Sequence, residues 1–373
     1  MKVLYFGTYE KDYPRNRVVI EGLKKNKIEV KECHVPVWES VEDKTGKFRD
    51  KCFLGIKLNS AHWKLVFRHF RYLDCDAVIV GYIGQFDMLL ARMMFPKKKI
   101  IFNPMTSLYD TLVLDRKLVK NKTIFSNLLR FLDKNSCELA DVVCLDTDEH
   151  MKYFSREFGI DKKKLRRLFI GADERLFYPR KEKILKNEKK KILFYGKFTP
   201  LHGTSYIIKA AKLLEKRKDI EFEIIGKGQT YEKDMALVNE LRIKNIKFID
   251  WVPYKKLPEH IAESAVCLGG HFGPGEKAKR VVPNKVFQMI AMKKPVIVSD
   301  SKASREAGFV DMENSLFCKM EDEKAIANSI LLLMKNSELR EKIAGNSHKL
   351  FTERYSTKAI GKDMIDIIKN ERM

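Results

Sequence analysis

The chain has 373 residues, 45% of them hydrophobic, and a formal net charge of +23. A chain of this length is expected to form two domains, each with enough apolar residues for its own core. A net charge of this size has two explanations. It is typical of a well-solvated basic surface, or it indicates an anionic partner such as nucleic acid, an acidic membrane surface or a phosphorylated ligand.

The cysteines and the apolar runs narrow the class of protein further. The seven cysteines are scattered and form no C-x-x-C pair, which argues against a zinc site or a disulfide framework and favours a reducing cytoplasm. No apolar run reaches the roughly 18 residues of a membrane span, and the apolar start of the chain is too short for a signal peptide. We therefore expect a cytoplasmic protein, with any contact at the inner face of the membrane being peripheral.

The first half of the chain alternates short apolar runs with segments of helical periodicity. Residues 17–26 have helical spacing, and the runs at 3–6, 77–80, 100–102 and 142–145 are typical of buried strands. Short apolar strands separated by helices predict a doubly wound parallel sheet.

A charged linker at 180–191 precedes a second half with the same alternation. A helix is predicted at 206–216, and helices continue through 324–372. The predicted strands of this half are 192–195, 221–225, 246–249, 265–268 and 295–298.

This pattern predicts two α/β domains. Their predicted bounds are 1–178 and 179–354, with a C-terminal helix at 355–373 that packs back on the first domain. Doubly wound sheets bind ligands at the carboxyl ends of their strands, and paired domains place the site in the cleft between them.

The segment 281–299 is the most informative part of the second half. It predicts a loop that presents Lys285, a short helix that begins at Pro283 and a buried strand that ends at Ser299. A proline in a first helical turn leaves the remaining free N–H groups pointing outward, where the helix dipole favours an anion. Phosphate is therefore the first ligand to expect.

Five short motifs follow one another along the second half. They are Tyr195-Gly196-Lys197-Phe198 with His202-Gly203, Ile225-Gly226-Lys227-Gly228, Trp251-Val252-Pro253-Tyr254, Pro283-Asn284-Lys285-Val286-Phe287-Gln288, and Lys294-Pro295-Val296-Ile297 with Arg305-Glu306. In this order they resemble the donor-binding domain of the retaining nucleotide-sugar glycosyltransferases of family 4. The first half resembles the acceptor domain of that family more loosely, through Gly7-Thr8-Tyr9, Arg15-Asn16, Ser107-Leu108-Tyr109-Asp110-Thr111 and Gly171-Ala172-Asp173. The resemblance implies the GT-B fold, in which two Rossmann-like domains face each other across a cleft.

The resemblance also implies roles for individual residues. Lys197 and Lys285 would act in catalysis by stabilising the charge that develops on the departing diphosphate. His202 stands where the family has a lysine, and an imidazole can still donate one hydrogen bond to a phosphate oxygen. Gln288 stands in place of a glutamate that binds the ribose, and Arg280 in place of a second glutamate. The implied donor-binding residues are Gly7, Arg15, His202, Gly226, Trp251, Val252, Gly273, Asn284, Gln288 and Glu306.

For Trp251 a role in the core is an equal alternative, and Gly273 lies in a glycine-rich turn, 269–275, whose N–H groups are expected to face the sugar or the phosphates.

Asp110 is the acidic candidate of the first half. It would orient or deprotonate an acceptor hydroxyl, and a turn or helix-capping role is the alternative. Retaining enzymes of this architecture are thought to use the donor phosphate as base, so a dedicated carboxylate is not required. Asp146-Thr147-Asp148 has the form of a metal-binding Asp-x-Asp motif but lies far from the donor motifs. No metal and no other cofactor is expected.

Two segments of the first half combine basic and apolar residues, at 56–72 and 116–134. A basic amphipathic helix with aromatic residues can lie on an anionic membrane surface. The alternative is that the aromatic stripe packs into the core of the domain. The membrane interpretation would suit a polyprenyl-linked acceptor.

The leading functional hypothesis is a retaining glycosyltransferase that moves a sugar from a nucleotide-diphosphate sugar to a saccharide or lipid-linked saccharide. It would serve the synthesis of cell-surface polysaccharide, lipopolysaccharide or glycoprotein glycans. One alternative is a nucleotide-sugar 2-epimerase of the same architecture. Another is a basic nucleic-acid-binding protein, which is disfavoured because the basic residues are spread through both halves and form no known motif.

Overall fold

The computed structural model describes residues 1–39, 48–180 and 189–370, with only the backbone described for 48–54. Residues 181–188 of the predicted linker lie outside the described part. The chain divides into two compact units. The first comprises Met1–Ile170 and the C-terminal helix, and the second comprises Gly171–Ser356.

The first unit is built on a six-stranded parallel sheet with strand order β2-β1-β3-β4-β5-β6. Its strands are β1 (Lys2–Gly7), β2 (Glu29–His34), β3 (Ala77–Val80), β4 (Lys99–Phe102), β5 (Val142–Leu145) and β6 (Leu165–Arg167). Its helices are α1 (Pro14–Lys25), α2 (Phe48–Arg68), α3 (Met88–Met94), α4 (Ile124–Leu139) and α5 (Asp148–Phe158). Short 3₁₀ and π-helical turns at His69–Tyr72 and Asp110–Asp115 complete the connections.

The central strands of the first sheet lie where the sequence predicts them, whereas its two edge strands were not predicted. Every residue of β3 and β5 is buried, because helices cover both faces of a parallel sheet. The edge strands β2 and β6 are partly exposed and carry Glu, Lys and Arg side chains, so they lack the continuous apolar run that identified the others.

The C-terminal helix α14 (Thr357–Lys369) packs against α1 of the first unit. A Cβ atom at Gly361 would lie 2.1 Å from the carbonyl oxygen of Gly22, so the two backbones approach closely at this crossing. The Lys99 ammonium donates hydrogen bonds to the carbonyls of Ile367 and Ile368 at the end of α14. A cation at this position also suits the negative end of the helix dipole.

The second unit has its own six-stranded parallel sheet with strand order β12-β11-β10-β7-β8-β9. Its strands are β7 (Lys190–Tyr195), β8 (Ile220–Ile225), β9 (Ile246–Ile249), β10 (Ser264–Gly270), β11 (Val296–Ser299) and β12 (Leu316–Cys318). Its helices are α6 (Thr204–Leu213), α7 (Tyr231–Glu240), α8 (Leu257–Glu263), α9 (Glu276–Arg280), α10 (Asn284–Ala291), α11 (Lys302–Glu306), α12 (Glu323–Lys335) and α13 (Ser337–Arg354). The predicted class, α/β with two doubly wound parallel sheets, is confirmed.

Candidate functional site

Lys285 is the centre of the candidate site in the second unit. It lies in the first turn of α10, which begins one residue later than predicted because Pro283 is the capping residue. Its side chain is 6% exposed, and its Nζ lies 3.8 Å from the centroid of the Phe194 ring. Among the described residues Nζ has no hydrogen-bond partner, and burial holds the pKa of Lys285 well below its usual value. A buried amine without an acceptor is a place where an anion would be stabilised.

Gly196, directly after β7, keeps the space beside Lys285 open. Its φ of 148° is in the region that favours glycine. A Cβ atom there would lie 2.8 Å from Lys285 Nζ and 3.3 Å from His202 Cε1. The same three residues therefore surround one opening at the carboxyl end of β7, where doubly wound sheets bind their ligands.

Two histidines lie beside this opening. The rings of His202 and His271 stack with their centroids 5.4 Å apart. Burial holds the pKa of His271 well below its usual value, and the nearby Lys285 and Lys277 ammonium groups lower it further. His271 is therefore neutral at pH 7.

The hydrogen bonding of His202 corrects the prediction made for it. Its Nδ1 is bonded to the carbonyl oxygen of Lys197, so Nδ1 carries a proton and donates. In a neutral imidazole the only N–H group is then used within the protein. Donation from Nε2 to a phosphate oxygen would require the protonated ring.

The glycine-rich turn also differs from the expectation. The N–H of Phe272 donates to the carbonyl of His202 at 3.3 Å, and the N–H of Gly273 donates to the carbonyl of Leu201 at 3.2 Å. These two N–H groups hold the turn against the loop after β7. The prediction that they face a ligand is therefore wrong for both. A Cβ atom at Gly273 would lie 1.9 Å from the carbonyl oxygen of Pro200, so the close contact requires glycine.

Gln288 lies one helical turn after Lys285 on α10. It is 4% exposed and sits between two tyrosine hydroxyls. The Tyr195 hydroxyl donates to its Oε1 at 2.7 Å, and its Nε2 donates to the Tyr254 hydroxyl at 3.1 Å. An amide can accept at one atom and donate at the other, so Gln288 satisfies both neighbours without a buried charge.

The other predicted donor-binding residues of the second unit lie at or near the carboxyl edge of its sheet. Lys197 is exposed and directly follows Gly196. Gly226 directly follows β8, and a Cβ atom there would lie 2.1 Å from the carbonyl oxygen of Gly196. Trp251 and Val252 follow β9, and Trp251 is 75% exposed, which excludes the alternative core role.

Three further residues complete this set. Asn284 is the first residue of α10. Glu306 is the last residue of α11. Arg280 is buried on the short helix α9 together with Lys277, so the residue found where the family has a glutamate adds positive charge to the interior of the unit.

In the first unit, Arg15 is fully buried, and its partners belong to the same unit. Nε donates to Asn103 Oδ1 at 2.6 Å, while the two terminal nitrogens donate to the carbonyls of Leu168 and Cys144. Burial lowers the pKa of this guanidinium. These bonds connect the ends of β4, β5 and β6. The described contacts therefore give Arg15 a structural role, and its side chain does not face solvent.

The acidic candidate Asp110 is also enclosed. Its side chain is 1% exposed at the start of the π-helical turn, and its N–H donates to Ser107 Oγ at 2.8 Å. A buried carboxyl group at this place does not present itself to an acceptor hydroxyl at the surface.

The structure shows a pair of side chains that sequence reasoning missed. Asp87 is fully buried and accepts from the Thr8 N–H at 2.7 Å, after Gly7 at the end of β1. Its other oxygen lies 2.9 Å from Nε2 of His62, whose side chain is 26% exposed. At Gly7, whose φ is 122°, a Cβ atom would lie 2.4 Å from Asp87 Oδ2. A buried carboxylate that fixes a partly exposed imidazole can position that ring against a substrate hydroxyl, as a base or as a hydrogen-bond partner.

The Asp-x-Asp sequence does not form a metal pair. Asp146 bonds to the buried His150 at 2.6 Å, whereas Asp148 pairs with Arg167 at 3.0 Å. Within the described residues there is no group of three or more His, Cys, Asp or Glu side chains that could hold a metal ion.

The described helices include none that is long and apolar enough to cross a membrane.

Comparison with solved structures places the fold. The chain is similar to sucrose-phosphate synthase from Thermosynechococcus elongatus, with a TM-score of 0.74 and 14% identity over 98% of this chain and 97% of the other. It is also similar to Anabaena HepE, solved in complex with UDP-glucose, with a TM-score of 0.70 and 12% identity over the whole of both chains. The fold is therefore the GT-B fold of glycosyltransferases.

The second unit matches a family model. Residues 179–350, a little under half of the chain, match the model of the family described as glycosyl transferases group 1. The predicted resemblance to glycosyltransferases is confirmed at this level. The chain is also 24% identical over 213 residues to an uncharacterized 41.2 kDa protein in the cps region of Klebsiella pneumoniae. That match spans 54% of the relative and 55% of this chain.

Proposed function

We propose that the protein is a retaining glycosyltransferase of family 4 that transfers a sugar from a nucleotide-diphosphate sugar to a saccharide or lipid-linked saccharide. The observation that carries this proposal is the buried Lys285 amine, which faces the opening above Gly196 without a hydrogen-bond partner among the described residues. The group 1 match over the same region supports it, and so does the UDP-glucose complex of the structural relative HepE. The relative from a cps region favours a role in cell-surface polysaccharide synthesis.

In this proposal the second unit holds the diphosphate. The Lys285 ammonium and the first N–H groups of α10 would stabilise the charge that grows as the bond to the sugar breaks. Lys197, at the rim of the same opening, would add a second cation. The diphosphate charge would be balanced by these groups, without a bound metal ion. Gln288, fixed between two tyrosines, would border the ribose.

On the acceptor side we assign His62 in place of Asp110. The His62 imidazole is partly exposed, and the buried Asp87 carboxylate fixes its orientation. His62 would orient the acceptor hydroxyl, with the donor phosphate as the base. This keeps the assignment consistent with retention of configuration, for which a separate carboxylate base is not required.

A thermal-shift screen of nucleotide sugars tests donor binding. A ligand at 100 times its dissociation constant should stabilise the protein by about 2.7 kcal/mol. The stabilisation should be lost in Lys285→Ala and retained in Lys302→Ala, a matched exposed lysine on α11. If no nucleotide sugar or nucleoside diphosphate stabilises the wild-type protein, the proposal is wrong.

A further inference from the structure

Helix α2 presents large aromatic side chains to solvent. Trp63 is 62% exposed and Phe67 is 74% exposed, and their rings stack with centroids 6.4 Å apart. Phe70, in the turn that follows, is 66% exposed. The core-facing side of the same helix is formed by Ala61 and Leu65, which are buried. The aromatic stripe therefore faces away from the core, and the alternative that it packs inward is wrong.

Two neighbouring helices continue this exposed surface. Helix α3 contacts both α2 and α4, so the three helices lie side by side, and each contributes inward residues to one core cluster. Their outward residues include Ile124, which is 91% exposed. We call the whole set the apolar face: Trp63, Phe67, Phe70, Leu89, Met93, Ile124, Leu128 and Phe131.

The second predicted segment is therefore corrected in part. Only its residues from Ile124 onward are helical. The preceding stretch at 116–123 is a loop, and Thr123 caps α4 by accepting from the Ser126 N–H.

Basic side chains lie on the same elements as the apolar face and on the loop before α4. Lys64, Arg68 and Arg71 are exposed beside its aromatic residues, and no acidic residue occurs between residues 55 and 73. The loop before α4 adds the exposed Lys117, Lys120 and Lys122. Eight exposed large apolar side chains on adjoining helices and the turn after α2 are unusual on a soluble domain and mark an interaction site. The surrounding charge indicates that the partner is anionic.

An open groove of about 630 Å³ adjoins this face between α4 and α5. It shares Phe131 with the apolar face and is also lined by Arg130, Lys134 and Arg156. Arg130 pairs with Glu157 at 3.0 Å. Lys134 pairs with Glu138 at 3.6 Å, and Arg156 is placed to contact a phosphate group beside the apolar surface.

We infer that the apolar face docks on an anionic lipid bilayer, with its aromatic and aliphatic side chains among the acyl chains and its basic side chains at the lipid phosphates. Charge complementarity favours a bilayer over a second copy of this chain, because two copies would bring like charges together. The same helix α2 carries His62, so docking would place the acceptor-side residue on an element held at the membrane. The inference extends the proposed function to lipid-linked acceptors but rests on surface chemistry alone.

Vesicle flotation at low salt tests the inference. Wild-type protein should float with vesicles of 70% phosphatidylcholine and 30% phosphatidylglycerol and should stay in the soluble fraction with phosphatidylcholine alone. Each basic residue near an anionic surface strengthens binding by roughly fivefold. Lys64→Gln with Arg71→Gln should therefore weaken binding by about 25-fold, and Trp63→Ser with Phe67→Ser by about tenfold or more.

Matched controls lie in the second unit, where Leu213 is 51% exposed and Lys216 and Lys218 are exposed. Leu213→Ser and the double change Lys216→Gln with Lys218→Gln should bind vesicles like the wild type. Failure of the wild-type protein to bind anionic vesicles would overturn the inference. So would a wild-type protein that forms a dimer and does not bind vesicles, if Trp63→Ser with Phe67→Ser converts that dimer to a monomer. Donor binding, measured separately without lipid, decides the proposed reaction independently.

Discussion

Replacement of Lys285 by methionine should raise stability and abolish tight donor binding at the same time. Methionine has nearly the length and volume of lysine but places no charge in the interior. The Lys285 side chain is 6% exposed and its Nζ has no acceptor among the described residues, so it carries an unmet solvation cost of about 1–3 kcal/mol. Contact with the Phe194 ring offsets about 0.5–2 kcal/mol of this cost.

The net gain in the free energy of unfolding of Lys285→Met is therefore about 1 kcal/mol, or about 2–4 °C in the melting temperature of a unit of this size. Loss of a charge-assisted contact to the diphosphate costs about 1.5–3 kcal/mol of binding. This corresponds to an increase of about 10- to 150-fold in the dissociation constant of the donor.

Donor binding should also take up a proton. The pKa of Lys285 is lowered by burial in the free protein, and a bound diphosphate would raise it by supplying a counter-charge. Between these two pKa values the affinity falls as the pH rises, because the binding-competent amine must be protonated. Calorimetry in buffers of different ionisation enthalpy measures this uptake.

Urea unfolding and calorimetric titration of Lys285→Met, with Lys302→Met as control, complete the test. Lower stability of Lys285→Met together with an unchanged donor affinity would refute the reasoning.

Three further variants follow from the described contacts. Gln288→Leu leaves the Tyr195 and Tyr254 hydroxyls without their amide partner, so the free energy of unfolding should fall by about 2 kcal/mol in a urea titration, and an unchanged midpoint would argue against the hydrogen-bonded arrangement. His62→Ala should lower the rate of transfer to the acceptor by about 100-fold while leaving the dissociation constant of the donor unchanged, and wild-type transfer rates would remove His62 from the site. Asp133 is a buried residue of α4 that accepts hydrogen bonds from the Ser107 hydroxyl at 2.7 Å and the Tyr109 N–H at 2.8 Å. Burial raises its pKa to about 6 from an unfolded value near 3.8. Its favourable contribution to the free energy of unfolding is therefore complete below pH 3.8 and is lost, by up to about 3 kcal/mol, as the pH rises to about 6. Between pH 4 and 6 the stability of Asp133→Asn should therefore rise more steeply with pH, or fall less steeply, than that of the wild type, and parallel curves would contradict the assigned pKa.

Much of the fold was predictable because the chain's central strands are buried on both faces. Such strands need continuous apolar runs, and residues 77–80 and 142–145 show them in the sequence. Three of the four edge strands, β2, β6 and β12, could not be found in this way, whereas the edge strand β9 was predicted from its apolar residues. The three strands that were not found are short or half exposed, so their pairing depends on a neighbour that only the folded chain supplies.

The candidate site was predictable only where one helix or loop carries it. The helical period alone places Lys285 and Gln288 on neighbouring turns of α10. In the His62–Asp87 pair, His62 lies on α2 and Asp87 lies directly before α3. Neither residue belongs to a recognisable motif. The binding of the His202 Nδ1 to a carbonyl oxygen likewise depends on how the loop after β7 closes, which residue type does not determine.

The most direct test of the proposed function is the stereochemistry of the product. The protein is incubated with the nucleotide sugar that stabilises it and with a matching saccharide acceptor, and the anomeric configuration of the new linkage is read by proton NMR. We predict release of nucleoside diphosphate and a product with the anomeric configuration of the donor. Inversion at the anomeric carbon, or a free epimerised sugar formed without acceptor, would contradict the account.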